Sequence, residues 1–125
     1  MMEKPEDFRR LALYYRSLDL HKAVNNLLRV HGARLNEVDQ LNLRKRATVV
    51  TKKIAYAMSQ TNNKIRFKKL NEAKNCLLQL KSMLKEAVSK MDGAMEEYSK
   101  VEDYIIQVLK LFNYSFAQLK KQRIK

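Results

Sequence analysis

The amino-acid sequence predicts an all-α protein, a single domain over residues 1–125 folded as an antiparallel up-down four-helix bundle. Three observations carry this expectation. Only two glycines and one proline occur in 125 residues, so the chain has little of the punctuation that hairpins and long loops require. Leu, Lys, Ala, Glu, Gln and Met, the better helix formers, are plentiful. Apolar residues also recur three and four positions apart through four long segments joined by short polar breaks, the pattern of antiparallel neighbours in a bundle.

The first helix opens at Pro5, which suits a first turn, with Glu6 and Asp7 near its positive end. It runs to about His31 and stops at Gly32. Phe8, Leu11, Tyr15 and Leu18 line one side of it, whereas Leu13, Leu20, Val24 and Leu27 line another, so neighbours are expected on two sides. The second helix, from about Leu35 to Ser59, places Leu43, Ala47, Val50, Ile54 and Met58 on one face, and the polar run Gln60-Thr61-Asn62-Asn63 breaks it. The third, roughly Lys64 to Met91, repeats the pattern with Leu70, Ala73, Leu77, Leu80, Leu84 and Ala87 before a turn at Asp92-Gly93. The fourth has Glu96 and Glu97 at its start and Lys120, Lys121 and Arg123 at its end, as the helix dipole favours. Its core stripe is Tyr98, Val101, Ile105, Val108, Phe112, Phe116 and Leu119. Tyr104, Leu111 and Tyr114 fall outside that stripe and, with the second apolar side of the first helix, are expected at a subunit interface. No internal repeat, low-complexity segment or domain linker interrupts the pattern.

The net charge is +13, and it is concentrated in mid-chain: residues 43 to 90 hold 13 basic and 2 acidic side chains, whereas the segments on either side are nearly balanced. Such a concentration costs self-repulsion and points to an acidic partner, nucleic acid first. Lys45, Val49, Lys52, Lys53 and Tyr56 are expected on the side of the second helix opposite its core stripe, with Arg44 and Arg46 at the edges. On the third helix Lys74, Lys81 and Lys85 align at spacings of seven and four, and Lys64, Arg66, Lys68 and Lys69 gather at its start. Only Glu72 and Glu86 interrupt these thirteen candidate nucleic-acid-binding positions, although an ordinary solvated helix mixes signs. The chain carries no helix-turn-helix, zinc-finger or RNA-recognition motif, so binding to the phosphate backbone without sequence readout is expected. Tyr56 would either stack on an unpaired base or pack on a neighbouring subunit.

Catalysis is not expected. His21 and His31 lack the four-residue spacing of a helical metal pair, and read as surface or capping residues. Cys76 reads as a small, partly buried side chain. Helix-start charge compensation accounts for Glu96-Glu97, Glu102-Asp103 is an ordinary acidic pair, and two glycines cannot make a phosphate loop. No enzyme activity, metal or cofactor is therefore expected. No apolar run approaches the roughly 20 residues of a membrane span. Met1 to Arg10 carries charges where a signal peptide needs an apolar core, and a lone cysteine forms no internal disulfide, so a reducing, cytoplasmic setting is expected.

Leu43-Arg44-Lys45-Arg46-Ala47 followed by Ile54-Ala55, then Phe67-x-x-Leu70-Asn71-x-Ala73-x-x-x-Leu77, form an ordered set of short motifs. With Phe8-x-x-Leu11-x-x-Tyr14 and Glu97-Tyr98, this set resembles the four-helix-bundle proteins encoded in bacterial ribosomal RNA intervening sequences. Their relatives include Avd, the accessory variability determinant of diversity-generating retroelements. The similarity runs from Phe8 to Leu119. The intervening-sequence branch typically reads Pro-Ser-Asn-Ile-Ala-Glu-Gly where this chain has Thr51-Lys52-Lys53-Ile54-Ala55-Tyr56-Ala57, and Gln79 stands where that branch usually has Glu. Both departures point to the Avd branch. That resemblance implies a bacterial or phage-encoded homopentameric barrel that binds RNA or DNA and a reverse transcriptase, and supports complementary-DNA synthesis from template RNA in mutagenic retrohoming. Two alternatives stay open: an intervening-sequence-type bundle of unknown role, and a non-enzymatic helical scaffold for an acidic protein. Membrane attachment is not expected, because no helix pairs a basic face with large exposed apolar residues once the bundle forms.

Overall fold

The computed structural model describes the backbone of residues 5–124 and the side chains of residues 11–121. Expectations resting on the side chains of Pro5, Glu6, Asp7, Phe8 and Arg123 lie outside the described residues. Four α-helices follow one another, α1 (Pro5–His31), α2 (Glu37–Met58), α3 (Asn63–Val88) and α4 (Met95–Ile124), with a short 3-10 turn, Gly32–Arg34, after α1. No strand occurs among the described residues. Each helix packs on its neighbour in the chain, and α1 closes the ring against α4. The α2–α3 and α1–α4 contacts are the most extensive of the four and α3–α4 the least. Residue pairs such as His31 with Glu97 and Phe67 with Phe116 fix the antiparallel sense of the neighbours.

The core is the predicted set of stripes, with one decision the sequence left open. On α1, Leu13, Leu20, Val24 and Leu27 are buried, together with Leu28 and Ser17, whereas Leu11 and Tyr15 are 39% and 56% exposed. A single apolar side of α1 therefore meets the bundle. On α2 and α3 the predicted positions Leu43, Ala47, Val50, Ile54, Leu70, Ala73, Leu77, Leu80 and Leu84 are all essentially out of water and Ala87 is buried, whereas Met58 is only half-buried because Ala57 takes the inward place in the last turn of α2. Each of the Leu, Val and Ile side chains contributes about 1.5–3 kcal/mol on burial. On α4 the stripe is buried except at Phe116, which is half-exposed, and Tyr104 and Leu111 pack against the core edge. Cys76, expected to be partly buried, is buried. Thr51 satisfies its buried hydroxyl at the α1–α2 contact, 3.5 Å from the carbonyls of Ser17 and Ala47.

Capping chemistry sets the helix ends within a few residues of the expected ones. Helix α2 starts at Glu37, because Asn36 accepts from the Asp39 amide at 2.7 Å. Asn62 caps α3 in the same way, taking the amides of Lys64 at 2.9 Å and Ile65 at 3.1 Å. Helix α3 ends three residues early. Ser89 to Met91 tighten into turns in which Lys90 and Met91 donate to Ala87 and Val88 at 3.0 Å, and Met91 folds into the core. Gly93 then reverses the chain at φ +77°, a conformation that L side chains adopt at a cost. At the other end Gln40 donates to the carbonyls of Gly32 at 2.7 Å and Leu35 at 3.1 Å, and lies so close that a Cβ on Gly32 would stand 3.3 Å from its side chain.

Candidate nucleic-acid interface

Two contacts join α2 and α3 beside the core. The Lys69 ammonium lies 5.7 Å from the centroid of the Tyr56 ring, and the Arg46 guanidinium donates to the Cys76 sulfur at 3.7 Å. Between these points Val49 and Lys53 are half-buried, so both sit in the seam between the helices instead of opposite the core. Lys45 and Lys52 are exposed and, from their helical register, stand furthest out. Arg44 is also exposed, on the α1 side, one turn before Thr48, whose hydroxyl lies 3.3 Å from the His21 ring. Lys64 and Lys68 are exposed around the start of α3.

Arg66 leaves the predicted face. It is 9% exposed, and its guanidinium donates to the Gln60 carbonyl, stapling the α2–α3 turn. Lys74 also turns away, towards α4, donating to Asn113 at 3.1 Å and lying 5.6 Å from the Phe116 ring centroid, and Lys81 and Lys85 follow it in helical register. The thirteen candidates thus separate into a group on the outer α2–α3 surface, a row on the α3–α4 flank, and one structural arginine. Helix register carries the signal for both departures. Arg66 is four residues before Leu70 and so continues the core stripe, and Lys74 and Lys81 each fall between stripe positions.

The two acids of the region act differently. Glu72 pairs with Lys69 at 3.5 Å and neutralises part of the seam, whereas Glu86 lies at the far end of α3 beside a hollow of about 120 Å³ lined also by Asp39, Asn42 and Lys90. Arg44, Lys45, Arg46, Lys52, Lys53, Lys64, Lys68, Lys74, Lys81 and Lys85 make no ion pair with a carboxylate among the described residues. The outer surface of α2 and α3 is therefore a cationic strip. Helix α2 is about 33 Å long at 1.5 Å per residue, close to the roughly 34 Å of one duplex turn.

The titratable features lie at the opposite end. His31 closes α1 onto α4 through a 2.9 Å hydrogen bond from its ring to the Glu97 carboxylate. That bond, with the Glu97 amide, holds the carboxyl below its ordinary range against the opposing effect of burial. Burial, and then the nearby Glu102 carboxylate, push the Tyr98 phenol up. Among the described residues no group of three or more His, Cys, Asp or Glu is placed to hold a metal ion, and no helix is long and apolar enough to cross a membrane.

Fold and surface together define a class: a four-helix bundle with a cationic strip on one helix pair. No protein-family model matches the chain, and no curated protein and no solved structure matches it.

Proposed function

We propose that the protein is a non-enzymatic nucleic-acid-binding bundle, bacterial or phage-encoded and cytoplasmic, that serves a reverse transcriptase as an accessory subunit in a diversity-generating retroelement. The observation that carries the nucleic-acid part is the outer α2–α3 surface. Six of its basic side chains, Lys45, Arg46, Lys52, Lys53, Lys64 and Lys68, have no carboxylate partner among the described residues. Repulsion among them is relieved by a polyanion, whose condensed counterions are released in exchange. The polymerase partner rests on the resemblance to Avd, and the pentamer rests on it too. Exposed Leu11 and Tyr15 on α1 supply apolar surface for a subunit contact.

The test is copurification from cells carrying the neighbouring genes, with retained protein and RNA identified after a moderate-salt wash. A reverse transcriptase recovered with a structured RNA is the expected result. Heterogeneous nucleic acid alone reduces the reading to a generic nucleic-acid-binding bundle. Recovery of an acidic protein without nucleic acid replaces it with a protein scaffold.

A further inference from the structure

The α3–α4 contact is the least extensive in the bundle, and near the C-terminal end of α4 its outer edge opens into a groove of about 400 Å³. This lies within the range of small-molecule sites. Phe67 and Asn71 of α3 face Asn113 and Phe116 of α4 across it, with Lys74 on one side and Lys120 on the other. The Phe67 and Phe116 centroids are 5.0 Å apart with planes at 57°, and buried Phe112 stacks under Phe116 at 6.2 Å and 18°. Both outer rings are half-buried, so each keeps part of its surface at the groove, and among the described residues no carboxylate lines it.

We infer that this groove is a nucleotide site that holds one unstacked base together with its phosphate. Every base has a π-face that an aromatic ring can take. The Asn71 and Asn113 amides each offer a donor and an acceptor, the two functions a base edge presents. Lys74 and Lys120 supply the cations for the phosphate. Lys74 currently donates to Asn113 at 3.1 Å and rests over the Phe116 ring; moving to a phosphate would free both the amide and the ring face for the base. A simple anion would use the lysines but neither the rings nor the amides, and an apolar peptide would leave both lysines and both amides unmatched. Only an aromatic anion with a polar edge matches all three kinds of group. The inference takes from the proposed function only the source of the nucleotide, a looped-out or terminal residue of a bound strand, with a free mononucleotide as the other source.

The experiment uses the intact chain. Anisotropy of a labelled single-stranded oligonucleotide and of its blunt duplex is compared for wild type, N71A/N113A, K74A/K120A and K45E/K52E/K53E. Both asparagines are exposed, so their loss leaves the fold intact, and circular dichroism checks it. The groove variants should weaken single-strand binding on the order of tenfold and leave duplex binding within about twofold, whereas the α2 variant weakens both. Side-chain amide shifts of Asn71 and Asn113 on adding adenosine monophosphate identify a free-nucleotide site; shifts seen with the oligonucleotide alone identify a strand residue. Unchanged single-strand affinity in the groove variants, with loss in the α2 variant, overturns the groove and leaves the nucleic-acid face standing. Equal shifts from inorganic phosphate overturn it in favour of a plain anion site. Mononucleotide shifts without any strand binding support the groove and sink the face instead.

Discussion

Charge reversal at Lys45, Lys52 and Lys53 tests the cationic strip most directly. The outer α2–α3 surface offers about six cations without a carboxylate partner among the described residues, and each phosphate they neutralise on a duplex adds about −0.9 to the slope of log affinity against log salt. The wild-type slope should be near −5, a loss on the order of a thousandfold between 50 and 200 mM salt. Replacing three lysines removes half the contacts, so the slope should fall to about −3 or shallower, with lower affinity at every salt concentration because the new carboxylates repel phosphate. Fluorescence anisotropy against a duplex across that salt range reads both quantities. The companion variant K74E/K81E/K85E reverses the same charge on the α3–α4 flank and should keep most of the slope. Equal slopes for wild type and the α2 variant would refute the placement of the strip, and a wild-type slope near zero would refute backbone binding.

Other expectations concern the scaffold. Gly93→Ala places a Cβ at φ +77°, and should cost about 1–2 kcal/mol in urea denaturation while nucleic-acid binding is unchanged. Arg66→Ala removes a charged hydrogen bond to the Gln60 carbonyl and should cost about 1.5–3 kcal/mol, whereas Lys68→Ala two residues away should change stability by less than about 0.5 kcal/mol. Equal effects in denaturation would return Arg66 to the exposed face. Glu97 has a folded pKa below its ordinary 4.5, so its contribution to stability is complete above that value and is lost as pH falls through the lower, folded one. The stability difference between wild type and Glu97→Gln should therefore shrink as pH falls below 4.5 and disappear in acid. A difference that grows on acidification would show the sign to be wrong.

The four helices were legible because each writes its buried stripe in local spacing, whereas the caps at Asn36 and Asn62 were not, since a helix start at Leu35 satisfied the same spacing. Helix α1 was ambiguous for a physical reason. Its two apolar rows satisfy the helical period equally well, and only the placement of α2 and α4 decides that Leu13, Leu20, Val24 and Leu27 go inside while Leu11 and Tyr15 stay out. The basic cluster was legible as a composition but not as a surface. Charge alone does not distinguish Arg66, which continues the core register, from Lys68, which points outward. The α3–α4 groove could not be read at all, since it depends on pairing Lys74 with a residue 39 positions away, and no local periodicity encodes that register. Phe116 and Lys120 each had a sufficient local explanation, one as core and the other as charge at a helix end.

The two most extensive contacts differ sharply in how far apart their partners lie along the chain. Helices α2 and α3 are joined by residues 59–62 alone, whereas α1 and α4 come together from opposite ends. Loop-closure entropy rises with separation and non-local contacts slow folding, so the α2–α3 hairpin is the cheapest tertiary unit to assemble and the α1–α4 closure the most expensive. More than half of the net positive charge of the chain lies on that hairpin. The self-repulsion therefore has to be overcome at an early step of folding, before the long-range closure can help, and a polyanion present then would lower the barrier as well as stabilise the finished bundle.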